Sequence, residues 1–125
     1  MKLTQQFTLR SGVVLKNRVL MAPMTISSSQ ANGDVTDDEL AYYHRRAKSG
    51  IGAVITACAA INELASGFTN SIGAESDERI ESLKRLAQSI QAGGAKAILQ
   101  IYHAGRMSNS KLLGTQPVSA SDIPA

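Results

Sequence analysis

A single cysteine, Cys58, is all that this 125-residue sequence contains. An internal disulfide framework is therefore excluded, and a reducing, cytoplasmic setting is expected. The first ten residues, MKLTQQFTLR, lack the apolar core of a secretory signal. No apolar run approaches the roughly 20 residues of a membrane span, so no membrane partner is expected. Also missing are a G-x-G-x-x-G turn after a strand, a Walker A loop and a G-x-S-x-G elbow. The one Cys and two His have no metal-ligand spacing, and no metal site is expected. Dinucleotide-fingerprint, nucleoside-triphosphate, zinc and serine-hydrolase readings all lose their usual support. The net charge is +3, but the basic residues are dispersed. The densest group, Arg45, Arg46 and Lys48, closes a predicted helix, where cations complement the helix dipole. A nucleic-acid footprint would concentrate charge on one face, so no nucleic-acid partner is expected. There is no internal repeat and no low-complexity tract.

What is present is ordinary globular composition, 43% apolar and 18% charged. Phe7 to Leu15 reads as two short β-prone runs around a Ser11-Gly12 turn, a small hairpin. Arg18 to Met24 is apolar without alternation, as in a strand buried on both faces, and Pro23 marks its end. A polar loop, Ser27 to Asp34, precedes a helix opened by Thr36 and Glu39 at capping-box spacing. Leu40, Tyr43 and Ala47 form its stripe, and Gly50 stops it. Residues 51–58 read as a second buried strand and residues 62–74 as a loop. A second helix starts near Ser76 or Asp77, with Ile80, Leu83, Leu86, Ala87 and Ile90 as its core face. After Gly93-Gly94, residues 96–102 form strand three, and the rest reads as loop. His44, beside Arg45 and Arg46, is expected at the surface. Strand–helix alternation with buried strands predicts a parallel α/β sheet. A doubly wound sheet and a barrel both satisfy the pattern. The length falls short of the roughly 250 residues of an eight-unit barrel.

In parallel α/β folds ligands gather beyond the carboxyl ends of the strands. Those ends carry Ala22, Pro23, Met24 and Thr25, then Thr56 to Cys58, then Gln100 to His103. Gln100 interrupts an apolar strand, and a buried carboxamide needs matched partners. A ligand edge with adjacent donors and acceptors would match it; so would neighbouring backbone or an interior water. Thr25 could donate to a ligand carbonyl or bond local backbone. Met24 could pack on a flat ring or simply fill core. Cys58 has no basic neighbour in sequence, which favours an inert thiol. His103 and Arg106 are open to proton-transfer and anion-binding roles, or to loop bonding.

Leu15-Lys-Asn-Arg-Val-Leu-Met-Ala-Pro-Met-Thr25 and Leu99-Gln-Ile-Tyr-His-Ala-Gly-Arg106, with Cys58 between them, resemble the old yellow enzyme family of FMN-dependent NAD(P)H oxidoreductases. The resemblance runs through nearly the whole chain, in the right order. It implies that residues 1–125 are the N-terminal segment of one FMN-binding (β/α)8 TIM barrel. That segment comprises a hairpin, strands one to three, two helices and the loop after strand three. Carried over by position, Ala22, Pro23, Met24, Thr25, Cys58 and Gln100 would line FMN. Thr25 stands where relatives place a flavin-tuning Thr or Cys. Ser27 falls where some relatives have an active-site Tyr that meets the substrate.

The implied chemistry is ene reduction: hydride from NADH or NADPH to FMN, then to an activated alkene, the small-molecule substrate. The resemblance places no catalytic residue in this segment. The substrate-gripping His/His or His/Asn pair, the proton-donating Tyr and the phosphate site would lie downstream, so the segment alone is expected to be inactive. His103 is not one of that pair. A homo-oligomer is the expected state of the enzyme. The alternative is a non-catalytic barrel fragment whose open strand edges serve as an oligomerising or interaction module.

Overall fold

The computed structural model describes residues 2–123. Strands β1 (Phe7–Thr8) and β2 (Val14–Leu15) form the predicted hairpin, with Phe7 opposite Leu15 and Thr8 opposite Val14. The turn is closed by Gly12 at φ 84°, a backbone state that glycine enters without a Cβ penalty. The Arg18 guanidinium lies 4.3 Å over the Phe7 ring, fastening the hairpin to the start of the main sheet.

Strand β3 (Leu20–Met21) is shorter than predicted; pairing stops before Pro23, which has no N–H to continue a ladder. It runs parallel to β4 (Ala53–Ala60), with Met21 beside Val54. The second strand thus begins and ends two residues later than the sequence pattern placed it. On its other edge β4 pairs in parallel with β6 (Lys96–Tyr102), which spans the predicted residues. Within the predicted 62–74 loop lies a two-residue strand, β5 (Ile72–Gly73), parallel to the end of β4. Strand β4 is therefore central, flanked by β6 on one edge and by β3 and β5 on the other.

Helix α1 (Asp37–Ala47) is capped by Thr36, whose side chain accepts the Glu39 N–H. The Glu39 carboxylate accepts the Ser29 hydroxyl at 2.7 Å, and Glu39 is 1% exposed. A 3-10 turn over Asp77–Arg79 leads into α2 (Ile80–Ala92). Both helices cover one face of the sheet, where Tyr43, Ala47, Val54, Ala57, Ala59, Ile72, Leu86 and Ile90 form the core. Burying the larger apolar members, Val54, Ile72, Leu86 and Ile90, stabilises by roughly 1.5–3 kcal/mol each before conformational entropy is subtracted.

Ile80, expected in the core stripe, is 58% exposed. The helix begins at that residue, and Ser82 turns inward instead, its hydroxyl accepting the Val35 N–H at 2.9 Å. His44 is half-buried rather than at the surface. Its Nδ1 lies 2.9 Å from the Ser89 carbonyl and joins the two helices. The segment after His103 is not all loop: a 3-10 turn (Gly105–Met107) and a short helix, α3 (Ser110–Leu113), interrupt it. The Asn109 side chain caps α3 and Gly114 ends it at φ 69°. Among the described residues no helix is long and apolar enough to cross a membrane.

The connections beyond the strand ends are tied together. Gly73 N–H donates to the Gly33 carbonyl at 2.9 Å, and Ser29 N–H donates to the Asn70 carbonyl at 3.2 Å. Gly33 sits at φ 89°, and a Cβ there would come within 2.9 Å of the Gly73 backbone. Arg79 bridges Asp34 and Glu75, both at 2.7 Å. That pairing holds the Asp34 carboxyl below the usual carboxylate range.

Candidate functional site

Residues paired across parallel strands share one face of the sheet. Ile55 pairs with Ile98, and the next pair is Cys58 with Gln100. Strand β4 advances three residues while β6 advances two, so Thr56 and Ala57 together oppose Leu99: a β-bulge. Bulges are uncommon in parallel pairs and concentrate near active sites, where they re-aim a side chain. Here the extra residue turns Cys58 to the face of Ile55, Ile98 and Gln100, away from the helices. With strict alternation Ala57 would take that face and the thiol would point into the helical layer.

Two side chains absorb the groups that the bulge displaces. Ala57 N–H donates to the Tyr43 hydroxyl at 2.6 Å. Gln100 N–H donates to Thr56 Oγ1 at 3.2 Å, and the same hydroxyl donates to the Ala57 carbonyl at 2.9 Å. Burial pushes the Tyr43 phenol up to about 12, so it stays protonated at neutral pH.

Thr25 approaches Cys58 from the segment after β3, with Oγ1 3.7 Å from Sγ. Thr25, Cys58 and Gln100 are therefore brought together at the carboxyl ends of three neighbouring strands. Ala22 and Met24 are exposed and Pro23 is half-buried. Ser27 is exposed at φ 46°; among the described residues it and Asn70 are the non-glycine residues in the left-handed region. Such strain is often found where geometry serves function. Among the described residues no hydrogen bond is made to the Gln100 carboxamide, whereas Cys58 is buried.

His103 is exposed, and its Nδ1 accepts the Gly105 N–H at 2.9 Å, a local turn contact. Arg106 donates to the Ile123 carbonyl. Tyr102 stacks with Phe68, ring centroids 6.3 Å apart, and burial raises its hydroxyl's pKa. A cavity of about 510 Å³ lies among the loops around Asn32, Glu63, Phe68 and Leu113. None of the residues expected at the flavin lines it, so it is not the site assembled by the strand tips. No group of three or more potential metal ligands occurs among the described residues.

Sequence reasoning placed Thr56 at a strand end but missed its contact at the bulge, and missed Tyr43 as part of this region. Tyr43 reads as one more apolar position on a helix stripe, and a bulge leaves no mark in composition. The phenol of Tyr43 was the available signal, since a buried hydroxyl requires a partner.

The sequence profile of the NADH:flavin oxidoreductase / NADH oxidase family matches residues 2–125. The NADH:fumarate oxidoreductase of Klebsiella pneumoniae is 46% identical over 99% of this chain. The chain spans 13% of that relative's length. The old yellow enzyme homologue from Zymomonas mobilis superposes with a TM-score of 0.87 at 29% identity, over 100% of this chain and 35% of its own. Morphinone reductase in complex with tetrahydroNAD superposes at 0.80 and 29% identity, over 94% and 30%. The four-stranded parallel sheet, with its helices and hairpin, is the N-terminal portion of a (β/α)8 barrel of that kind. The doubly wound alternative is thereby removed. This chain belongs to the NADH:flavin oxidoreductase / NADH oxidase family.

Proposed function

We propose that residues 1–125 supply the first FMN-facing strands of an NAD(P)H-dependent oxidoreductase of ene-reductase type. The carrying observation is the shared face of Thr25, Cys58 and Gln100, reached only because β4 is bulged. Gln100 fits the edge of a flavin pyrimidine ring, since its carboxamide can donate and accept together and makes no bond among the described residues. Cys58 is small and buried, and so leaves room for a ring. Thr25 is placed to donate a hydroxyl to a ring carbonyl. Ala22, Pro23 and Met24 continue that wall, and Ser27 lies on the substrate side. When bound, FMN supplies the redox chemistry, taking hydride from NADH or NADPH and passing it to an activated alkene. The chain's own part is to hold the ring's orientation and its hydrogen-bonded edge.

No side chain of this segment is assigned the proton donation or the grip on a substrate carbonyl. The 125-residue chain by itself is therefore expected to show no turnover. A cytoplasmic, homo-oligomeric enzyme belongs to the same proposal. The test is the visible spectrum of the protein purified from its complete reading frame. Flavin bands that leave with the supernatant on denaturation are expected, together with NAD(P)H-dependent reduction of an activated alkene. A colourless protein that takes up no added FMN would sink the reading.

A further inference from the structure

We propose that Tyr43 and Thr56 are positioning residues for the flavin site: together they clamp the β4 bulge and so fix which way Cys58 and Gln100 point. The inference rests on the flavoprotein reading above. Neither side chain lies on the face assigned to the flavin. Tyr43 projects from α1 beneath the sheet and is fully buried, and Thr56 is 2% exposed. Thr56 also lines a small space with Leu83, Leu86 and Ile90 on the helix side. Their polar atoms nevertheless serve two backbone amides that the bulge removes from the regular ladder, those of Ala57 and Gln100.

Each contact decides something different. The Tyr43 hydroxyl accepts the N–H of the inserted residue, which a paired strand would otherwise reclaim. Thr56 Oγ1 stands in for a main-chain carbonyl opposite Gln100, and donates its own proton to the Ala57 carbonyl. Without these acceptors the buried Ala57 amide and the half-buried Gln100 amide lose the partners they have here, which drives the strand back towards regular alternation. Alternation restored, Cys58 rotates into the helix layer and Gln100 loses its register with it.

The test uses the FMN-loaded protein from the complete reading frame, with Tyr43→Phe, Thr56→Val and Thr56→Ser. Thr56→Val and Tyr43→Phe should weaken FMN binding about tenfold and shift the visible flavin bands, with far-UV circular dichroism unchanged. Thr56→Ser keeps the hydroxyl and should keep the wild-type spectrum and affinity. Wild-type spectra and affinities in both Thr56→Val and Tyr43→Phe would overturn the clamp, as would a Thr56→Ser as impaired as Thr56→Val. If neither damaging variant folds, amide hydrogen exchange of the wild type decides. Protection of the Ala57 and Gln100 amides equal to that of the β4–β6 ladder supports the clamp, and rapid exchange overturns it. A wild-type protein that never binds FMN defeats the flavoprotein reading itself, which separates the two failures.

Discussion

The Oγ1 of Thr25 lies 3.7 Å from the Sγ of Cys58, and this contact joins the segment after β3 to the middle strand of the sheet. A thiol is a weak partner, so the hydroxyl keeps capacity for a stronger acceptor. In the FMN-bound protein, a Thr25 hydroxyl bonded to a ring carbonyl would favour the reduced, more electron-rich ring. Thr25→Ala should therefore lower the midpoint potential, by on the order of 30 mV for the loss of one modest hydrogen bond. Spectroelectrochemistry measures this, and an unchanged potential removes Thr25 from the tuning role.

Gln100 separates binding from stability. Its backbone N–H is engaged by Thr56, while its carboxamide bonds to nothing among the described residues. Gln100→Leu should leave the urea midpoint of the apo-protein almost unmoved and weaken FMN about tenfold or more. Titration followed by flavin fluorescence distinguishes that from a general loss of folding.

Glu39 carries a pH dependence with a definite sign. Burial raises its pKa, against the lowering effects of the Ser29 hydrogen bond and of the Thr36 backbone N–H. The folded protein thus holds this proton to higher pH than the unfolded chain does. The stability so gained is full below the unfolded carboxylate pKa and is lost as pH rises through the folded value. Glu39→Gln removes that titration. The stability of the wild type relative to Glu39→Gln should accordingly increase as pH falls from neutral into the carboxylate range, measured by urea unfolding at a series of pH values. A difference that is flat with pH contradicts the assignment.

Gly33 is expected to tolerate no side chain. A Cβ would meet the Gly73 backbone at 2.9 Å, in a residue already at φ 89°. Gly33→Ala should cost roughly 1–3 kcal/mol, read from the unfolding midpoint, whereas Gly12→Ala, with open space around its Cβ, should cost less.

Much of the framework was legible from residue patterns. The hairpin, the Thr36 cap and strand β6 follow from turn residues, a capping hydroxyl and an apolar run. Each of these is a local cause acting within a few positions. Ile80 misled because periodicity describes which positions share a stripe, not whether neighbouring elements reach its first turn. Strand β5 is two residues long and exists through its partner, Ala59–Ala60, so no window of sequence announces it. The strand-tip residues were legible from where each strand ends, and the family motifs supplied their ligand, but their convergence depends on the unequal advance of β4 and β6. At that offset the Ala57 N–H is met by the Tyr43 hydroxyl, thirteen residues before Thr56 in the chain and on another element. Tertiary contacts of this kind are invisible to patterns read along one strand.

The crossing of Gly33 and Gly73 has a practical consequence for anyone recombining this scaffold with its relatives. Two connections that touch backbone to backbone, and share Arg79 through Asp34 and Glu75, cannot be exchanged one at a time. Lengthening either would lever the other away from the strand tips. Chimeras that swap 27–34 and 62–75 as a matched pair should keep the rim intact, while single swaps should not be additive.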